Sequence, residues 1–218
     1  MVSLSAIELA LSSAAASPPT PSRSMAAVAM VLAGEPQALE LCFILRATRE
    51  GDRWSGQMAF PGGRAEHDDP TARAVAVRET HEELGLPLHG AKVLGSLPPI
   101  SLRPMGGAIG VLAPFAFYAG RQRPPLHPSE AEVADAYWIP LAHLWDPSNS
   151  QTVDWDFRGQ PLRFSGIRFR EQVIWGLTYR VLTEWAALLG RPLPHGSAKP
   201  TMVDPSTSTP ADQSRPRG

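Results

Sequence analysis

Apolar positions gather in dense runs separated by turn-forming residues, and those runs define the elements. Residues 26–32 and 39–45 are almost wholly apolar and are parted by Gly34-Glu35-Pro36. Short continuous runs of this kind suit strands covered on both faces. A loop rich in glycine and charge spans 49–56, and Met58-Ala59-Phe60 is a short apolar step stopped by Pro61-Gly62-Gly63. Asp69-Pro70 joins a capping acid to a proline suited to the first helical position, so a helix is expected from there to Leu84, closed by Gly85. Strands are expected over 91–97, 108–118 and 136–139, and a short helix over 142–145. Val173, Ile174, Leu177, Val181, Leu182, Trp185 and Leu188 recur at helical spacing and predict a second long helix over 170–189. Strands and helices alternate without a regular beat. The expected fold class is therefore α/β in the α+β sense, a mixed sheet between helices.

The ends differ in texture. Residues 3–16 can form a short helix, but 17–24 are Pro- and Ser-rich, so 1–24 reads as a flexible extension. Residues 195–218 hold Pro, Ser, Thr and Asp with little that is apolar and read as a disordered tail. The folded unit is expected over 25–194. The 218 residues carry a formal net charge of −1, which excludes bulk electrostatic capture of nucleic acid or an anionic membrane. The N-terminus has no basic stretch before its apolar residues, and no run approaches the roughly 18 apolar residues of a membrane span. A cytoplasmic protein is the default expectation. The one cysteine, Cys42, lies in a strand-like run and reads as a small buried residue.

The chemistry concentrates in Arg78-Glu79-Thr80-His81-Glu82-Glu83-Leu84-Gly85-Leu86. On a helix, Glu79, Glu82 and Glu83 stand at i, i+3 and i+4 and share a face. Three crowded carboxylates repel one another unless a cation joins them, and oxygen-only ligands suit Mg²⁺ or Mn²⁺. By itself such a stretch also fits a solvated acidic face. Arg78 can pair with a neighbouring carboxylate and fix its direction, and Gly62-Gly63 lets backbone approach a ligand closely. His81 points elsewhere on the helix. Asp68 and Asp69 are expected to cap the helix, and Glu66 to be a solvated loop residue.

These residues resemble the Nudix box: a Gly, five residues, a Glu, seven residues, then Arg-Glu-apolar-x-Glu-Glu-x-Gly-apolar. Arg78, Glu79, Glu82, Glu83, Gly85 and Leu86 match, and Phe60-Pro61-Gly62-Gly63 matches the entrance to the motif. Thr80 departs from the apolar position, and the spacing carries one extra residue. Counted forward from Gly63, the first Glu position falls on Asp69; counted back from Arg78, it falls on Pro70. Asp69 with a one-residue insertion is the preferred alignment.

The resemblance implies a Nudix-type α/β/α sandwich that hydrolyses a nucleotide pyrophosphate bond. It implies divalent ions (Mg²⁺ or Mn²⁺) held by Glu79, Glu82 and Glu83, with Arg78 in the catalytic set and the general base left open among the glutamates. The segment from Asp52 to Gly63, with Arg46-Ala47, is similar to the coenzyme A pyrophosphatase branch. So are Gly110-Val111-Leu112-Ala113-Pro114-Phe115, Pro128-Ser129-Glu130, Trp138-Ile139-Pro140-Leu141 and Ile174-Trp175-Gly176-Leu177-Thr178. The branch implies coenzyme A or its derivatives as substrate, bound by Arg46, Arg53, Gly62 and Gly63. The alternatives are ADP-ribose, dinucleoside polyphosphates or oxidised nucleotides, and a non-catalytic binding module. Arg46, Arg49 and Arg53 either meet the 3′-phosphate of coenzyme A or form a solvated loop. Trp54 either stacks on adenine or anchors that loop.

Overall fold

Strand β1 (Met25–Ala33) explains the architecture, because its alternate side chains enter two different cores. Ala27, Ala29 and Val31 meet Val75, Ala76 and Leu84 of helix α2 (Ala72–Leu84). Ala26, Met30 and Leu32 meet Val181, Leu182 and Trp185 of helix α4 (Gly176–Leu188), together with Ile7 and Leu11 of helix α1 (Leu4–Ser13). β2 (Glu40–Arg46) and β7 (Val111–Tyr118) divide in the same way. Covered on both faces, all three strands are apolar at nearly every position, which is why their sequences read as continuous runs. The computed structural model describes residues 2–14, 17–51, 55–102, 110–157 and 159–202.

The main sheet runs β3-β2-β1-β7-β5, where β3 is Met58–Ala59 and β5 is Lys92–Ser96. β4 (Gly62–Arg64) joins β1, β6 (Ile100–Ser101) joins β7, and β8 (Val133–Pro140) joins β2. β1 and β7 are parallel; the pairings of β1 with β2 and β4, and of β2 with β8, are antiparallel. A smaller sheet holds β9 (Ser150–Phe157), β10 (Gln160–Phe169), β11 (Gln172–Ile174) and β12 (Thr201–Met202). The short helix α3 is Leu141–Leu144. This is the expected mixed sheet between helices. Among the described residues no helix is long and apolar enough to cross a membrane.

Four expectations need correction. α2 begins at Ala72, and Thr71 caps it by accepting the Ala74 N–H at 3.1 Å, so Asp69 is not the cap. The second long helix starts at Gly176; the stretch read as its first turns is the end of a β hairpin, turned by Arg170 with φ 53°. The N-terminal stretch is not merely an extension. Ile7 and Leu11 are fully buried, and Glu8 pairs with Lys92 at 2.6 Å. At the other end, the body continues past 194: His195 is buried, its Nε2 bonded to the Leu144 carbonyl at 2.7 Å and its Nδ1 to Ser150 Oγ at 2.8 Å, and β12 pairs with β10. Residues 108–109 of the strand expected over 108–118 and residues 203–218 of the tail lie outside the described residues. Cys42 is fully buried as expected; burial, with the Glu83 charge second, pushes its thiol far above the ordinary range.

The docking of α1 has a measurable consequence. Leu11→Ala should destabilise the chain by about 2–4 kcal/mol, as for a buried leucine whose cavity does not collapse. Urea unfolding reads this directly, and a midpoint within error of wild type would show that α1 does not contribute to the core.

Candidate active site

A forked strand edge positions the site. One edge of β1 pairs with β7 from Met25 to Leu32. The other is divided: Leu32 and Ala33 pair with β2, whereas Ala26, Ala27 and Val28 pair with Arg64, Gly63 and Gly62 of β4. At the fork the Ala29 N–H donates to the Pro61 carbonyl at 2.8 Å. Backbone bonds thus hold the glycine pair against the sheet, facing α2. Gly62 has φ 150°, and a Cβ there would strike the Ala27 carbonyl and lie 2.6 Å from Val28 Cα. A Cβ on Gly63 would strike the Glu79 carboxylate. The pair therefore brings sheet backbone against the acidic helix face, and any side chain would fill that gap.

On α2, Thr80 is fully buried and donates its hydroxyl to the Ala76 carbonyl at 2.7 Å. This explains how a polar residue occupies an apolar position of the motif. The next turn carries the acids. Glu83 is only 2% exposed, and its Oε2 accepts the Gly62 N–H at 2.8 Å. Burial pushes its pKa up to about 8, helped by the charges of Glu79 and Glu132 and opposed by the Gly62 amide and Arg46. Glu79 is also raised, chiefly by burial and against the pull of Arg78. Glu82 is half exposed and His81 exposed.

Arg78 binds this group together. Its Nε and Nη2 grip the two oxygens of Asp69 at 3.2 and 3.0 Å, and Nη2 also donates to the Arg64 carbonyl at 3.0 Å. Nη1 meets Glu79 at 3.1 Å and Glu82 at 2.8 Å. The hydrogen bonds from Arg78 hold the Asp69 carboxyl below its usual range. Asp69, expected as a cap, instead anchors the arginine that steers two glutamates. Glu66 is exposed, 4.0 Å from Arg78.

The C-terminal end of α2 is closed by a loop that sequence reasoning did not place. Gly85, with φ 60°, ends the helix; then the His127 and Ser129 N–H groups donate to the Leu84 and Glu83 carbonyls, each at 2.8 Å. The loop brings Glu132 near enough to raise both Glu79 and Glu83. Arg49 fastens this loop, donating to the Ala131 carbonyl and pairing with Glu132 at 3.3 Å. Pro128-Ser129-Glu130 was the only sequence signal pointing here. Arg46 ends β2, exchanges backbone bonds with Gln57 and Gly56, and lies within electrostatic reach of Glu83. The site thus gathers Arg78, Glu79, Glu82, Glu83, Gly62, Gly63 and Arg46. Arg53 and Trp54 lie outside the described residues.

The donors fit a hard divalent ion in kind. They are carboxylate oxygens on one helical face, and the two most buried carry raised pKa values, the mark of negative charge crowded in a poorly solvated place. Among the described residues no three acidic, histidine or cysteine side chains converge on a single point. Glu79 and Glu82 reach to Arg78, and Glu83 to Gly62.

A buried carboxylate helix seated on a glycine strand, within a mixed sheet between helices, frames the candidate site. The model of the NUDIX domain family matches residues 23–157. A Nudix hydrolase named NudL from Photorhabdus laumondii is 34% identical over 137 residues, covering 61% of this chain and 68% of that protein. Its namesake from Pectobacterium atrosepticum is 30% identical over 151 residues, covering 66% and 73%. A solved MutT/nudix family protein from Enterococcus faecalis shares the fold with a TM-score of 0.50 and 16% identity, over 85% of this chain and 71% of that one. The chain belongs to the Nudix family and is a Nudix hydrolase. Members of the family generally use divalent metal ions.

Proposed function

We propose that this Nudix hydrolase cleaves the pyrophosphate link of coenzyme A or its derivatives, releasing 3′,5′-ADP and a 4′-phosphopantetheine product. The observation that carries the hydrolytic reading is Glu83, buried on the Gly62 amide beside Glu79 and raised to about 8. Glu79, Glu82 and Glu83 would hold Mg²⁺ or Mn²⁺, which supplies neutralisation of the pyrophosphate and acidifies the attacking water.

The chain's own residues do the rest. Arg78 fixes the directions of Glu79 and Glu82 from its anchor on Asp69. Gly62 and Gly63 leave room for phosphate against the strand. Glu132, oriented by Arg49, receives the proton of the water that attacks phosphorus, as the bond to the leaving phosphate oxygen breaks. Assignment to coenzyme A rests on the branch-like segment from Asp52 to Gly63 and on Arg46 and Arg53 as cations for the 3′-phosphate. Arg49, committed to Ala131 and Glu132, is better suited to positioning than to that contact.

A panel of coenzyme A, dephospho-coenzyme A, ADP-ribose and a dinucleoside polyphosphate, with products read by mass, tests this. Coenzyme A should be cut fastest, and EDTA should abolish turnover. Arg46→Gln should weaken the specificity constant for coenzyme A by about 1.5–3 kcal/mol more than that for dephospho-coenzyme A, the difference being the charge-assisted hydrogen bond and any loss common to both coming through Glu83. Faster cleavage of ADP-ribose would transfer the protein to that substrate class with the same acidic site.

A further inference from the structure

The smaller sheet carries an aromatic cluster that hydrolysis at the glutamates leaves unused. In the β9–β10 hairpin, Trp155 pairs with Leu162 and Val153 with Phe164, and paired residues share a face. Ile167 and Ile174 point to the other face, where they are fully buried in the core that also holds Tyr179 of α4. Trp155, Phe164 and Trp175 therefore lie on the face turned from that core, and each remains partly exposed. The Trp175 ring is 5.3 Å from Trp155 and 5.3 Å from Phe164, tilted by 45° and 62°. Gly166, between the strands, leaves the space Trp175 needs: a Cβ there would sit 3.2 Å from that of Trp175. Arg168 alternates onto the same face and is exposed.

This ledge is tied to β3, which leads into the glycine strand β4. Three residues after Trp175, Thr178 Oγ1 donates to the Met58 carbonyl at 3.0 Å. Met58 precedes Gly62 by four residues, so the bonded carbonyl lies within about 13 Å of the glycine pair along an extended chain. Three mostly buried side chains of about 150–250 Å² each expose on the order of 100–200 Å² between them. That is short of the roughly 800 Å² per partner of a stable dimer but ample for one planar ring.

We propose that Trp155, Phe164 and Trp175 form a stacking ledge for the purine ring of a nucleotide, with Arg168 as the cation beside it. This rests on the reading that the chain acts on nucleotide pyrophosphates. Stacking accepts any flat π-face and is strong enough for one ring to change affinity measurably. It would hold the base away from the glutamates and leave the phosphates to reach them.

The test is binding to the full chain without turnover, using adenosine diphosphate and ribose 5-diphosphate as probes and tryptophan fluorescence or calorimetry as readout. Wild type should bind adenosine diphosphate more tightly than the base-less probe by about tenfold or more, and Trp155→Ala should remove that gap. Trp155→Phe should keep most of it. In turnover, Trp155→Ala should raise KM by about tenfold and hold kcat within about twofold. Phe164→Ala, with a thermal melt, guards against a folding artefact at Trp155. Equal adenosine diphosphate affinity in wild type and both alanine variants overturns the ledge. So does a change confined to sedimentation, which would make the face a self-association surface. Intact base discrimination with no hydrolysis in the substrate panel would sink the hydrolytic reading and leave the ledge standing.

Discussion

Glu83→Gln is expected to lower kcat/KM by about 10²-fold or more, because the proposed metal site would lose an ionised ligand, and to stabilise the metal-free fold at alkaline pH. Both effects follow from one carboxyl group. Its folded pKa is about 8 against an ordinary 4.5. Below pH 4.5 folded and unfolded states are both protonated, and the group has no effect on stability. Between 4.5 and 8 the unfolded carboxyl ionises and the folded one does not, so stability falls as pH rises. Above 8 both are ionised and the penalty is complete. Because the carboxyl is almost fully buried, the penalty should be about 3–5 kcal/mol. Glutamine keeps the shape and removes the charge. Melts in EDTA at pH 5 and pH 9 should separate less for the variant than for wild type, the remaining slope including that of the raised Glu79. A variant with the wild-type pH slope would show that Glu83 is not the strained group, and one with near-normal turnover would remove it from the reaction.

The two adjacent glycines should fail in different ways. At Gly62 an alanine Cβ meets backbone, the Ala27 carbonyl and Val28 Cα, at a φ that side chains rarely adopt. Backbone cannot step aside while β4 is paired with β1. Gly62→Ala should therefore lose about 2–4 kcal/mol of stability through strain and overpacking together. At Gly63 the atoms nearest the Cβ are the end of the Glu79 side chain, which can swing away. Gly63→Ala should melt within a few degrees of wild type yet lose about 10²-fold in kcat/KM, because the displaced group is a proposed metal ligand. Thermal melts and turnover on the same preparations separate the two outcomes. A Gly63→Ala protein that is fully active would mean that Glu79 need not lie where it does.

What the sequence disclosed was local in origin. Glu79, Glu82 and Glu83 share a face because helix geometry alone puts them there, and β1 and β2 read as strands because burial on both faces leaves no polar positions. The hairpin was hidden by a change of phase. Along β10 the apolar residues are Leu162 and Phe164, then Ile167 and Phe169, so the outward face gives way to the inward one at Gly166. Val173, Ile174 and Leu177 then imitate a helical repeat, and nothing in the composition of Arg170 announces its positive φ. Asp69 and Glu132 were misjudged or missed because their partners are distant. One reaches back to the helix through Arg78; the other arrives on a loop set by the register of β8 on β2.

The forked edge of β1 separates two kinds of change. The catalytic strand hangs on Ala26–Val28 by main-chain bonds, whereas the strands leading to Arg46, Gln57 and Met58 hang on Leu32, Ala33 and β2. A substitution that reshapes ligand recognition on the second branch leaves the hydrogen bonds of the first untouched. The glycine strand and the Arg46 branch are thus mounted on one rod at different heights. On the proposed function, substitutions confined to the β2–β3 branch and the neighbouring smaller sheet should shift substrate preference more than they slow the reaction.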